Sequence, residues 1–172
     1  QFLLPMYVNN QLVEGADVYA SAEIYFALGS LSAGLFIRML TRSLKTYVTV
    51  AGLMILAGSV FIIVAGMNSI WFFYLFSVII GFSNAGTRIT RVTYLFNHIP
   101  NNIIGRANSI FYVYNITMRG LMILLFSTAF FSLDNNVVWA YAICGSFILI
   151  SVVPLLLAKD DPQPLQEASK TS

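Results

Sequence analysis

Long apolar runs separated by short polar connections dominate this chain, and five of the runs are long enough to cross a membrane as helices. They extend approximately over 18–40, 47–66, 70–96, 107–131 and 137–158, and a helix needs about 20 apolar residues to traverse the hydrocarbon core. The stretch QFLLPMYV at 1–8 is too short to span. It begins without Met and has no basic leader, so it is expected to be the outer end of a partial helix rather than a signal peptide. Six passes are thereby implied, the first cut short. The tail 159–172, KDDPQPLQEASKTS, is polar, contains prolines and shows no helical stripe, and is expected to be disordered.

Polar positions inside the runs recur at helical spacing. In the third full run Ser77, Gly81, Asn84, Arg88 and Arg91 share one face, because steps of three and four residues return to the same side of a helix. Asn108, Tyr112, Asn115 and Arg119 do the same in the fourth run, and Glu23, Ala27, Ser30, Gly34 and Arg38 in the first. The second and fifth runs hold no ionisable residue in their interiors. Charges and amides in a membrane are costly and usually face protein or a water-filled cavity. The first, third and fourth helices are therefore expected to line a cavity, with the second and fifth outside against lipid. Gly29 with Ala33, Ser30 with Gly34, and the segment GFSNAG from Gly81 to Gly86 have the small-residue spacing that lets membrane helices pack closely.

Charge adds an orientation. Outside the runs, Lys and Arg fall on alternate connections: Arg38, Arg42 and Lys45; then Arg106 with His98 nearby; then Lys159 and Lys170. The intervening connections hold Glu14 and Asp17, then Met67, Asn68 and Ser69, then Asp134. Basic residues in short loops stay on the cytoplasmic side, so these loops and the C-terminus are expected to be cytoplasmic. Trp71 to Tyr74, Trp139 and Tyr141 then stand at outer helix ends, at the headgroup level that aromatic rings prefer. Composition fits: 58% hydrophobic and 9% charged, against roughly 45–50% apolar and about 25% charged in soluble domains. The net charge of +2 is small and spread along membrane-flanking loops, which is no nucleic-acid footprint.

Single residues admit more than one reading. Arg91 can snorkel to phosphate headgroups, and Arg88 lies one turn deeper. Arg119 should lie roughly 13 Å into the membrane, facing either a cavity or a structural ion-pair partner. Glu23 is the one acidic residue within an expected span; it could carry a proton, bind a cation, or be an interfacial carboxylate. His98 reads as an interfacial loop residue, and Cys144, the single cysteine, as a small buried or lipid-facing residue. One His, one Cys, no His pair and no glycine-rich phosphate loop leave no catalytic or metal-binding arrangement. No enzyme activity, cofactor or metal is expected.

GLFIRMLTRSLK, from Gly34 to Lys45, resembles the basic loop between the eighth and ninth helices of major facilitator superfamily transporters. PNNIIGRANS, from Pro100 to Ser109, is similar to the Pro and Gly-Arg connection leading into their eleventh helix. Over 1–158 the chain resembles the C-terminal half of that fold, closest to the efflux branch containing enterobactin and macrolide exporters. The resemblance implies an all-α polytopic six-helix bundle whose seventh, eighth, tenth and eleventh helices line the cavity. Where similar exporters often have glycine, this chain has Glu23.

The expected function is a secondary active transporter working by alternating access about a midplane site, in the plasma or inner membrane. It would export a small amphiphilic or anionic solute, such as a drug or siderophore, by antiport against an ion gradient. Asn84, Arg88, Asn115 and Arg119 are the candidate substrate-binding residues. Glu23 is the coupling candidate, with the proton as the expected ion. Arg38, Arg42, Lys45, Gly105 and Arg106 are the candidate cytoplasmic gating residues. The implied partners are a small-molecule substrate, the coupling ion, the lipid bilayer and an N-terminal helical half not contained in this sequence. The alternative is a non-transporting membrane scaffold or assembly module; an intramembrane enzyme is disfavoured.

Overall fold

The computed structural model describes residues 8, 16–43, 46–66, 69–100, 102–127 and 136–157, with Ser43, His98 and Val137 by backbone only. Five helices make up almost all of this: α1 Ala16–Ser43, α2 Thr46–Ala65, α3 Ile70–His98, α4 Ile104–Phe126 and α5 Val137–Leu157. No strand occurs among the described residues. Each helix is long and apolar enough to cross a membrane, the make-up of a multi-pass membrane protein. The expected partial first pass (Val8 apart), Lys45, Asp134 and the tail lie outside the described residues.

Helix ends differ from expectation in physically readable ways. α1 starts early enough to carry Asp17 in its first turn and ends late enough to carry Arg42 in its last, each opposite in sign to the dipole end it occupies. α4 starts at Ile104 rather than 107, because the Ala107 N–H donates to the Ile103 carbonyl at 3.0 Å and closes a turn there. Gly105 and Arg106 therefore belong to the first turn of a helix. That helix ends at Phe126, short of the expected 131.

Four helices form a row. α1 packs along α3, α3 against α2, and α2 against α5. The row is set by glycines at which the backbones nearly touch. A Cβ on Gly29 would collide with the Val78 carbonyl, and one on Gly81 with the Phe26 carbonyl. Across α2 and α5, a Cβ on Gly58 would come within 2.9 Å of Leu149, and one on Gly145 within 2.9 Å of the Gly58 carbonyl oxygen. Close approach of this kind supplies dispersion contacts where lipid provides no hydrophobic drive between helices. Ala33, fully buried, continues the Gly29 contact, whereas Gly34 faces open space.

At one end of the row, Val8, Ala22, Val64, Ala65, Phe73, Phe76 and Tyr141 form a core cluster. This joins the start of α1, the end of α2 and the starts of α3 and α5, as a chain passing back and forth requires. Trp71 and Trp139 stand exposed at that same end. Arg38, Arg42 and Arg106 lie exposed toward the opposite end.

Burial is uneven among the five helices. α2 is the most enclosed, with 39% of its apolar window buried, against 17% for α1 and 6% for α4. Being sandwiched between α3 and α5 buries Thr49, Leu53, Val60 and Val64, while Ile55, Leu56, Ile62 and Ile63 remain on an exposed face. α4 is anchored near its ends. Phe126 packs in a cluster with Ala140, Ile143 and Cys144, and the Arg91 guanidinium lies 5.6 Å from the centre of the Phe111 ring.

Candidate functional site

The crossing of α1 over α3 splits the polar seam of these helices in two. At the level of Gly29 and Gly81 the backbones leave no room for a side chain. Ser30, just past the crossing, bridges it further: its hydroxyl donates to the Phe26 carbonyl at 3.0 Å and lies 3.3 Å from the Gly81 carbonyl. Glu23 and Ser77, before this point, line one compartment, and Asn84 and Arg88, after it, line another.

The first compartment, beside the core cluster of Ala22, Val64, Phe73 and Tyr141, is a cavity of about 180 Å³. Glu23 and Ala22 of α1, Phe61 and Val64 of α2, Phe73 and Ser77 of α3, and Tyr141 and Cys144 of α5 contribute to its walls. Glu23 is half-buried and shares a side-chain hydrogen bond with Tyr19, one turn earlier on the same face. The Ser77 hydroxyl is occupied, donating to the Phe73 carbonyl at 2.9 Å. Among the described lining residues, Glu23 is the one that carries a carboxyl group.

The second compartment is a larger and more open groove of about 570 Å³ between α1 and α3. Its polar lining is Ser30, Asn84, Arg88 and Thr93. Asn84 is fourteen residues from either end of α3, roughly 21 Å at helical rise, so the groove reaches mid-span. Arg88 is exposed, and its guanidinium has no carboxylate beside it among the groove's lining residues. A guanidinium at that depth needs water, carbonyl groups or an anion. The groove can supply that solvent and admit such a ligand.

Of the four candidate substrate-binding residues, the structure brings Asn84 and Arg88 together. Asn115 and Arg119 stand elsewhere, exposed on the middle of α4, and line neither compartment. Glu23 is separated from Arg88 by the glycine crossing. Of the candidate gating residues, Arg38 and Arg42 lie on the last turns of α1 and Gly105 and Arg106 on the first turn of α4; Lys45 is outside the described residues. Arg91, instead of reaching only toward headgroups, covers Phe111 of α4. Phe61 of α2 and Tyr141 and Cys144 of α5 are cavity walls that sequence reasoning did not assign to a site. The available signal was the aromatic and small residues at the ends of those runs, level with Glu23.

Comparison of the chain with protein-family models, with curated proteins and with solved structures gives no match in any of the three.

Proposed function

We propose that this protein is a helical half of a secondary transporter working by alternating access, with an anionic or amphiphilic solute as substrate, exported against an ion gradient. The observation that carries the reading is Arg88, set with Asn84 and Ser30 in an open groove at mid-span. A groove of that size with one unneutralised guanidinium favours ligands that combine a negative charge with an apolar body. Asn115 and Arg119 on α4 would supply a facing wall when α4 swings against α3. Its attachment through Phe126 and Phe111 leaves the middle of the helix free to do so. Arg38, Arg42, Lys45 and Arg106 would make the cytoplasmic contacts that open and close, with the tail on the same side. Glu23 would respond to the coupling ion, a proton on this reading, from the outer side.

A scaffold reading is favoured by one observation: α4 exposes Ile110, Val113, Ile116, Leu121, Leu124 and Leu125 along its length, a surface on which another membrane helix could pack. Flux separates the two. Vesicles containing the complete protein and loaded with a fluorescent amphiphilic anion are expected to lose it under an imposed proton gradient. Arg88→Ala should reduce the rate at least tenfold. Loss no faster than from protein-free vesicles would contradict transport of that class.

A further inference from the structure

We propose that the cavity lined by Glu23 is a binding site for a small organic cation of the quaternary-ammonium type, with Glu23 as its counter-charge. The site goes beyond the transport reading, since a cation could bind there in a carrier or in a scaffold. Its walls include the rings of Phe26, Phe61, Phe73, Phe76 and Tyr141, and aromatic faces attract cations most strongly where water is excluded. Among the described lining residues the one charged side chain is the Glu23 carboxylate. Tyr19 shares a hydrogen bond with that carboxylate and orients it.

The chemistry selects an organic cation over a metal ion. Calcium takes about six to eight oxygen ligands, whereas this lining offers the Glu23 carboxylate, the Ser77 hydroxyl already donated to a carbonyl, and the Tyr141 hydroxyl. No group of metal-binding side chains occurs among the described residues. A weakly hydrated ammonium needs no such shell; rings and one carboxylate suffice. The cavity volume of about 180 Å³ matches several waters at about 30 Å³ each, room for a trimethylammonium head. The groove beyond the glycine crossing carries Arg88 and would repel the same ligand. The two compartments therefore have opposite charge preferences.

Cys144 is the single cysteine of the chain and lines this cavity, so the native protein carries its own reporter. The experiment uses the full chain in lipid nanodiscs and follows modification of Cys144 by methanethiosulfonate reagents bearing either an ammonium or a sulfonate. Rates are normalised to a free thiol. The ammonium reagent is expected to be preferred at least tenfold, and choline to slow its reaction at least fivefold. The neutral isostere 3,3-dimethyl-1-butanol should leave the rate unchanged, and Glu23→Gln should abolish the preference. Equal rates for the two reagents, equal protection by choline and the neutral alcohol, or no reaction with either reagent would overturn the proposal. The wild-type arms decide the matter even if Glu23→Gln does not fold. None of these readouts involves flux, so failure of the transport reading would leave them interpretable.

Discussion

The Glu23 cavity and the Arg88 groove share the walls of α1 and α3, yet they differ in nearly every physical respect. The cavity is closed by four helices, walled by aromatic rings and supplied with one carboxylate. The groove is open, walled mainly by α1 and α3, and supplied with one guanidinium. A seam that looks continuous along the sequence is cut by one close crossing at Gly29 and Gly81. Periodicity identifies which residues share a helix face; it does not say that they share a compartment.

The largest effect should come from filling that crossing. Gly81→Leu would drive a side chain into the Phe26 backbone, which cannot yield as a flexible side chain can. Overpacking of this kind costs about 1–3 kcal/mol or more, and here it should abolish the folded species in detergent-resistance or thermal-melting assays. If the variant instead melts like the parent, the crossing does not separate the compartments. Truncation should distinguish the two sides next. Phe73, only 4% exposed in the core next to the cavity, should cost about 3 kcal/mol or more as Phe73→Ala, read as a lowered denaturant midpoint.

Arg88→Ala, in the open groove, should change stability by no more than about 0.5 kcal/mol while removing the groove's positive charge. A destabilisation comparable to that of Phe73→Ala would mean that Arg88 is part of the packed structure. A small effect of opposite sign belongs to α4. Gly120 has nothing within reach of an added Cβ, so Gly120→Ala should stabilise by about 0.5–1 kcal/mol through helix propensity. A loss of stability there would show α4 to be packed more closely than its ends indicate.

Much of this build was legible in the chain. The five spans followed from length and apolar content, and the seams on α1 and α3 from spacing alone. Boundaries were less legible where basic residues join a helix: Arg106 reads as loop by charge, yet the Ala107 to Ile103 hydrogen bond places it within α4. Lateral partnership was least legible. In a membrane, helix neighbours are chosen by complementary small residues on both partners, and one sequence shows Gly58 and Gly145 without showing that they meet. For that reason the sequence did not show that α2, which keeps an exposed apolar face, has its other face enclosed by α3 and α5, or that the Glu23 cavity has walls from α2 and α5. Asn115 and Arg119 show the converse: their stripe is plain in the sequence, and the helix that bears it lies away from both compartments.

The most direct measurement is the water accessibility of single cysteines placed at Asn84 and at Ile55 in a Cys144→Ser background, using a membrane-impermeant maleimide in native membranes. Position 84, at mid-span in the groove, is expected to react at a rate within tenfold of a loop cysteine, and position 55, on the exposed apolar face of α2, to remain unreacted. Equal inertness at both positions would contradict a solvated polar groove between α1 and α3.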